Sequence, residues 1–591
     1  MAHTRLSIIG LSTFTIPIAN EAETVRVVVN GEFYDFEEIR SKLQSLGHRF
    51  KTFCDSEILV HLYEEYGENC LRHLRGEFAF VLWDDRKKTL FAARDRFGIK
   101  PLFYAETADG LYLASEAKAL FAAGVPPGWD AETAFQNIFL CFDQTNTHFR
   151  NVKQIPPGCF LISHLDGGVS LRRYWDLDYP RRGQLRPRSE KACIAELKEH
   201  ILESVRIRLR SDVQVGCYLS GGLDSSSVLG IATEFSPEKI AAFTVAFDHS
   251  DFDESTKAGI AAAHNAAPFT RVEVTEAACA DCFADSVWSS EAVHYNAHGA
   301  ARFLLSRQVR DAGYKTVLAG EGADELFAGY DFAQGALTAS GNHQNPFQLL
   351  VRILKGAISP PGSTHRLLSE CSPWLARMCR ILAFSPPFVE ALADKLGTMR
   401  GLLSADFLDE YRRRDPYAEL IALLEPRANL RGRVPVHQLL YLWIRSLFLN
   451  YVLGAERLDM AHAVEVRLPF LDHKLFEFAR ELPLDLLLRG GARKYIFREA
   501  AKPFLPDAIY RADKQPFFAP PSTLRPGNRL LELLEDDLRS AEFSKVPFFN
   551  ALAVRSWLDR MKTSESSIKA AMDPLLFMFA SMGILQRRYC L

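Results

Sequence analysis

The chain is 591 residues long, more than one hydrophobic core serves, and this sets an expectation of roughly two to four domains. Its 48% hydrophobic and 24% charged residues are those of an ordinary soluble globular protein, and a net charge of −3 gives no reason to expect nucleic acid as a ligand. The 11 cysteines show no repeated spacing, so reduced thiols in a cytoplasmic protein are expected rather than a disulfide framework. Cys279-Ala280-Asp281-Cys282 is a lone C-x-x-C in a helix-like run, without the second ligand pair that a metal site needs. Neither a signal-length apolar start nor a membrane-spanning apolar run of about 18 residues is read from the sequence.

In chain order, residues 1–178 carry short strand patterns with helices between them. Residues 26–29 read as a strand running into Asn30-Gly31, a turn pair, and 78–83 as a strand running into Asp84-Asp85. Apolar spacing predicts helices over 36–46 and 57–66. Residues 179–191 are basic with two prolines and one glycine and read as an interdomain linker, followed by an amphipathic helix over 192–210. Strand 213–219, helix 225–233, strand 240–247, helix 303–312 and a third strand, 315–318, then alternate as in a parallel sheet wrapped by helices. Residues 345–591 read as mostly helical, interrupted at Pro360-Pro361 and Pro386-Pro387.

The strand at 213–219 ends in Leu219 and Ser220-Gly221-Gly222-Leu223-Asp224-Ser225-Ser226, and a helix follows. Two glycines at a strand end let the backbone turn sharply and bring N–H groups to an anion, while a helix N-terminus and serine hydroxyls add positive charge and donors. Asp224 would repel phosphate by itself, so its carboxylate makes sense as a magnesium ligand; the alternative is a capped helix turn with an acid in its first turn. The lysine of a Walker loop is missing, which excludes an ordinary P-loop site.

SGGLDSS resembles the pyrophosphate loop of the N-type ATP pyrophosphatases. Gly320-Glu321-Gly322-Ala323-Asp324-Glu325-Leu326-Phe327-Ala328-Gly329-Tyr330 follows the third strand, and residues 460–472 (MAHAVEVRLPFLD) precede Lys494-Tyr495-Ile496-Phe497-Arg498. In this order the segments resemble the asparagine synthetase B family along nearly the whole chain. The resemblance implies an N-terminal Ntn-hydrolase-like α/β/β/α sandwich over 1–178, incomplete at its start. It also implies a parallel-sheet synthetase domain over 192–591 with a helical C-terminal part. Asp224 and Asp324 would hold Mg2+ on the pyrophosphate of ATP, and Lys494 would neutralise charge on the transferred phosphates. Val245 would contact the adenine, Ala319 and Gly320 would lie by the nucleotide, and Glu321 would face the intermediate and the amine. The family commonly has serine where Ala319 stands. Arg467 and Asp472 are expected to form a structural pair rather than to touch substrate.

In the family the N-terminal domain releases ammonia from glutamine with a cysteine after the initiator methionine; here position 2 is Ala2. The resembling pattern begins at Arg5, a segment that lies deep inside the family's domain, so either an ammonia-dependent enzyme or a start assigned too far downstream is expected. The glutamine-holding remnant would be Arg5, Asn30, Gly31, Glu32 and Asp55. Cys54 has no obvious base and is not expected to replace the nucleophile. Residues 93–102 (ARDRFGIKPL) also match, as a domain-contact segment or as a tight turn.

These implications favour activation of a carboxylate, aspartate first, as an acyl-adenylate and amide formation with ammonia, the glutaminase half being expected inactive in this chain; glutamine as a further partner and a homodimer are left open. An intramolecular amide-forming cyclase, natural-product amidation and an inactive scaffold are the alternatives. Residues 288–299 are expected near the carboxylate substrate, where His294, Asn296 and His298 either read a polar group or cap the helix near Ala300.

Overall fold

Val25, Val27 and Val29 are buried while Arg26, Val28 and Asn30 between them are not, the period-two signature of a strand with one covered face. In the computed structural model, which describes residues 1–12, 15–165, 167–341, 382, 399–512, 519–523 and 527–591, these valines start the long strand β2. The N-terminal strands are β1 (Ile18–Ala19), β2 (Val25–Tyr34), β3 (Arg75–Asp84), β4 (Thr89–Arg94), β5 (Phe103–Thr107), β6 (Gly110–Ala114), β7 (Lys153–Gln154), β8 (Cys159–His164) and β9 (Val169–Arg173). They form a six-stranded antiparallel sheet, β1-β2-β3-β4-β8-β9, and a three-stranded one, β6-β5-β7.

Four layers follow from what each face buries. Helices Phe36–Ser45 and Ile58–Tyr66 pack Phe36, Ile58 and Leu62 on Val25, Val27, Phe78 and Phe80 of the large sheet. The opposite face places Ala79, Ala92 and Leu161 against Tyr104 of β5. Phe103 and Ala105, on the other side of β5, share a core with helices Ala117–Ala122 and Ala131–Ile138. This is the α/β/β/α sandwich expected.

Asn30-Gly31 is not the turn read from the sequence. Both residues lie inside β2, paired with Ala79 and Phe78 of β3. The physical reason is close approach: a Cβ on Gly31 would sit 1.9 Å from the Glu77 carbonyl oxygen, and its φ of +119° is open only to glycine. Tertiary pairing overrides the local turn preference of the dipeptide.

The second half is built on a parallel sheet ordered β12-β11-β10-β13-β14, made of β10 (Val215–Tyr218), β11 (Ala241–Phe247), β12 (Phe269–Val274), β13 (Thr316–Leu318) and β14 (Glu465–Arg467). The strand read as third is therefore the fourth in the chain. β12 is a half-exposed edge with Arg271 and Glu273 turned to solvent, and β14 is three residues long inside a helical region. Helices Glu190–Arg208, Leu223–Phe235, Ser255–His264 and His298–Asp311 surround the sheet. The start of the connecting segment is pinned, with Leu177 and Tyr179 buried and Arg433 donating to the Tyr179 carbonyl and pairing with Asp178, while most of 181–189 is exposed. Pro360-Pro361 and Pro386-Pro387 lie outside the described residues.

One long apolar run escaped the sequence reading. Helix Ser566–Tyr589 is long and apolar enough to cross a membrane over Ile568–Tyr589, but 67% of its most apolar window is buried by the protein. Phe579 packs on Phe549 and Trp557, so it is a core helix here. The nine described cysteines are all free and all but Cys590 are buried; Cys279 and Cys282 have thiols raised by burial, which suits inert core residues.

The halves meet through buried charge. Asp472 accepts from Arg75 Nε at 2.9 Å and Arg208 Nη1 at 3.1 Å, and Arg208 Nε also pairs with Glu77 at 2.7 Å. The expected Arg467–Asp472 pair is not formed. Arg467 turns instead to Glu465 at 2.9 Å and to the Arg208 and Arg210 carbonyls, because β14 directs it away from the helix that Asp472 caps. Both readings of 93–102 hold. Arg94 donates to the Gly98, Lys100 and Ile155 carbonyls and fixes the turn, while Lys100 crosses to Glu456 at 2.9 Å.

Buried imidazoles give the fold an acid-sensitive side. His437, 2% exposed and stacked on Tyr179, is pushed down to about 3 by burial, and His294 and His298 are pushed down to about 4, again by burial first. Below pH 6.5 the unfolded chain takes up protons that the folded chain refuses. Stability is therefore full above pH 6.5 and falls as pH drops toward 4, with His437 alone contributing a slope of up to about 1.4 kcal/mol per pH unit. Urea midpoints at pH 8, 7, 6 and 5 should stay level and then decline below 6.5, well before ordinary carboxylates titrate.

Candidate active site

The sheet carries the site at its carboxyl end. β10 closes on Leu219, whose N–H donates to the Phe243 carbonyl at 2.9 Å, and β13 closes on Ala319, whose N–H donates to the Arg467 carbonyl at 3.0 Å. Val245 lies in β11 beside them. In parallel sheets, ligands bind in the crevice beyond these strand ends.

Ser220–Ser226 leaves β10 and enters helix Leu223–Phe235. Gly221 has φ +76°, and a Cβ there would meet the Ala258 backbone nitrogen at 2.4 Å, so the loop is pressed onto the next helix. The loop also braces itself: the Ser220 N–H donates to Ser225 Oγ at 3.1 Å and the Gly222 N–H to Ser220 Oγ at 3.3 Å. Ser226 is enclosed, and its Oγ has no hydrogen-bond partner among the described residues. A Cβ on Gly320 would lie 2.8 Å from the Ser225 nitrogen, so the loops after β10 and β13 touch.

Lys494, remote in sequence, completes the cluster. Its ammonium lies 2.7 Å from both carboxylate oxygens of Asp224 and 2.5 Å from Asp324 Oδ1. The side chain is 3% exposed. Burial works against its charge, but Asp224 and Asp324 outweigh it and hold the lysine above its ordinary pKa. Its backbone has φ +51°, an arrangement costing a non-glycine residue about 1 kcal/mol or more, and the left-handed turn caps helix Tyr495–Ala501. Two carboxylates converging on one ammonium are a donor set that also fits a divalent cation, with the ammonium standing in for part of its charge.

Gly329 shapes this cluster from below. A Cβ there would lie 1.9 Å from Asp324 Oδ1 and 2.0 Å from Lys494 Cε. Gly329→Ala is expected to push the lysine and carboxylate apart and to lower the rate by on the order of 10²-fold, the scale of a 1 Å misplacement. Steady-state rates and melting temperature of the variant, measured together, check it.

Glu321 stands apart from Lys494 in a second group. Its Oε1 accepts from Arg302 at 2.5 Å, Arg302 also binds Asp459 at 2.8 Å, and the Tyr218 hydroxyl donates to Asp459 at 3.0 Å. Burial raises Asp459 to about 7 against the pull of Arg302. Sequence reasoning did not find Arg302, Asp459 or Tyr218; nothing in their local sequence marks them. A cavity of about 10 Å³ lies between Glu321, Arg302, Tyr451 and Glu456 on one side and Ile99 of the N-terminal half on the other. It has room for roughly one water-sized molecule.

The polar residues of 288–299 make local hydrogen bonds. His294 Nε2 is 2.9 Å from Ser290 Oγ, Asn296 Oδ1 accepts from the His298 N–H at 2.9 Å, and His298 Nε2 accepts from the Ala519 N–H at 2.6 Å. Asn296 thus holds the first N–H of helix His298–Asp311, whose N-cap is Ala297, and both imidazoles are enclosed beside it.

In the N-terminal half, Glu32 and Asp55 form a pair of buried acids. Burial first, then Asp55, raises Glu32 well above the carboxylate range; burial also raises Asp55, which accepts from the Phe33 N–H at 2.7 Å. Arg467 Nη2 already lies 3.5 Å from Glu32 Oε1 and offsets part of this charge. Asn30 and Gly31 precede Glu32 on β2. Arg5 is turned to the Ile9 and Gly10 carbonyls at 2.6 and 2.7 Å, on a segment lying against Cys54. The Cys54 thiol is pushed up to about 12 by burial and Asp55, which suits an inert thiol.

The asparagine synthase family model matches residues 196–582, and the glutamine amidotransferase domain model matches residues 1–175. The chain is 32% identical to amidase chry2 of Gibberella zeae over 95% of this chain and 86% of that protein. It is 34% identical to amidase chyE of Penicillium rubens over 88% of this chain and 81% of the relative. A glutamine-hydrolyzing asparagine synthetase of Bacillus subtilis is 29% identical over 87% of this chain and 79% of its own length. Built on a parallel sheet whose loops gather Asp224, Asp324 and Lys494, and preceded by a glutamine amidotransferase domain, the chain belongs to the asparagine synthase family.

Proposed function

We propose that the protein activates a carboxylate with ATP as an acyl-adenylate and converts it to an amide with ammonia, aspartate being the first substrate to test. The observation that carries this reading is the convergence of Asp224, Asp324 and the buried Lys494 at the strand ends beside the Ser220–Ser226 loop. A free carboxylate does not yield an amide with ammonia in water, because oxide is too poor a leaving group. In the proposed reaction a carboxylate oxygen attacks the α-phosphorus of ATP, the bond to the β-phosphate oxygen breaks, and pyrophosphate leaves. Ammonia then adds to the acyl carbon, AMP departs, and the extra proton goes to a base.

Lys494 offsets negative charge gathering on the transferred phosphates, a contribution largest in an enclosed site. The backbone N–H groups of Gly221 and Gly222 and the hydroxyls of Ser220, Ser225 and Ser226 line the loop that would hold the phosphates. Mg2+, held by Asp224 and Asp324, would screen the pyrophosphate charge. Glu321, steadied by Arg302, is the nearby carboxylate able to accept the amine proton. With Ala2 in place of a nucleophile and Cys54 buried and inert, glutamine is the control nitrogen source expected to fail where ammonia succeeds.

A second reading, amidation of a carboxylate other than aspartate, is favoured by the likeness to the two fungal amidases at 32% and 34% identity, against 29% for the Bacillus subtilis synthetase. A hydrolytic amidase needs no ATP loop, so those names point here to amide chemistry run in the forming direction. An inactive scaffold would have no reason to keep an acid–lysine cluster in a strained backbone. Incubation with ATP, Mg2+ and a panel of amino and aryl carboxylic acids, with ammonia or glutamine, tests the proposal. AMP and an amide in equal amounts are expected; ADP as the product, or none with any acid, counts against it.

A further inference from the structure

On the outer helical layer of the N-terminal domain, away from both sites above, two imidazoles and two carboxylates face one another. Glu21 follows β1, His48 lies after helix Phe36–Ser45, and His61 and Glu64 stand three residues apart on helix Ile58–Tyr66. His61 Nδ1 is 3.4 Å from Glu21 Oε2 and 3.8 Å from Glu64 Oε2. His48 Nδ1 is 3.6 Å from Glu21 Oε1 and 3.9 Å from Glu64 Oε2. One ligand atom from each of the four falls within 4.8 Å of the others. Four ligands at the usual zinc–nitrogen and zinc–oxygen distances of about 2.0–2.2 Å stand about 3.3 Å apart around a tetrahedron, so shifts of a few tenths of an ångström to about 1 Å would close this set on one ion.

A second observation points to a ligand. The His61 side chain is fully buried, and neither of its ring nitrogens makes a hydrogen bond. Glu64 Oε2 is likewise buried without a donor. Leaving such groups unsatisfied costs about 1–3 kcal/mol each, which a shared cation would remove for His61 Nδ1 and Glu64 Oε2, while His61 Nε2 faces Glu57 Oε1 at 3.8 Å. The surrounding groups are arranged as outer supports: Glu65 Oε1 is 3.0 Å from His48 Nε2, Asn20 donates to Glu64 Oε1 at 2.7 Å, and the Arg49 N–H donates to Glu21 Oε1 at 2.6 Å. A carboxylate on the far nitrogen of an imidazole fixes the tautomer that leaves Nδ1 free to ligate.

We propose that Glu21, His48, His61 and Glu64 form a structural site for one divalent transition-metal ion, with zinc the best match. Two imidazoles with two carboxylates suit Zn2+ or Co2+ and disfavour Mg2+, which takes oxygen ligands. The ion would clamp the turn after β1 and the loop after the first helix onto helix Ile58–Tyr66. That loop runs on to Asp55, so the clamp would also steady the Glu32–Asp55 pair.

The test uses the whole chain without an affinity tag, stripped with a chelator, re-equilibrated with Zn2+ or Co2+, and passed through a desalting column. One Zn2+ per chain by elemental analysis is expected, with a rise in melting temperature, and Co2+ should give visible bands of a tetrahedral nitrogen–oxygen site without thiolate charge transfer. His48→Gln and Glu21→Gln, at positions exposed enough to tolerate them, should each weaken binding at least tenfold, while Cys279→Ser should leave it unchanged. No retained metal in a folded chain would overturn the proposal. So would undiminished binding in both ligand variants, or binding lost in Cys279→Ser.

Discussion

Lys494→Ala is expected to lower adenylate formation by at least 10²–10³-fold, the scale seen when one preorganised charge-stabilising donor is removed from an enclosed site. The reason lies in the geometry: the ammonium reaches Asp224 and Asp324 at 2.7 and 2.5 Å. Both carboxylates then lose this shared ion pair, so the ligand-free variant also loses stability. Added Mg2+ with ATP should restore stability more strongly in Lys494→Ala than in the parent chain, because a divalent cation can take up the charge that the lysine leaves. Melting temperatures with and without Mg2+ and ATP, read beside the rate, separate this from simple unfolding. A rate within tenfold of the parent would remove Lys494 from the chemistry.

Asp472→Ala carries the largest expected loss of stability. Asp472 is buried, accepts from Arg75 across the interface and from Arg208 within its own half, and caps the helix after it through the Lys474 N–H at 2.9 Å. Burial alone would raise its pKa, yet Arg208 and Arg75 hold the carboxyl well below the usual range. A group depressed in the folded state contributes stability that is present above its unfolded value near 4 and is lost as pH falls below it. At neutral pH the variant takes a shared carboxylate from two buried guanidiniums, which keep Glu203 and Glu77 at 2.7 Å each, so the loss is about 3 kcal/mol, the low end for a broken buried pair. Denaturant unfolding at pH 7 should show this shift, and the difference between variant and parent should narrow toward pH 3. A variant within about 1 kcal/mol of the parent would mean that the interface relaxes around the missing charge.

The site was legible where chemistry and local structure share a few residues. Ser220–Ser226 announces itself because a buried strand, two glycines and a helix start are adjacent in sequence. The joining of Asp224 to Lys494 came from family resemblance: a lysine 270 residues away has no local mark, and its role becomes physical only when the fold brings it within 2.7 Å. Arg302 and Asp459 went unseen for the same reason, being ordinary charged residues on separate helices.

The failures have physical causes too. Asn30-Gly31 has the composition of a turn, but pairing with β3 and the close approach of the Glu77 carbonyl keep it in a strand. β12 alternates buried Val272 and Val274 with charged residues over too short a span to outweigh its polar surroundings. Arg467 and Asp472, five residues apart, invited a pairing that the strand and the helix cap separate. Helix Ser566–Tyr589 is apolar nearly all round because other helices cover it.

The most direct measurement of the central claim is exchange of labelled pyrophosphate into ATP, run with and without candidate carboxylates. Exchange that needs a carboxylate and Mg2+, proceeds without ammonia, and disappears in Asp224→Ala is predicted, because the acyl-adenylate forms reversibly before nitrogen enters. No exchange with any acid in a folded protein, or exchange that survives Asp224→Ala, would contradict it.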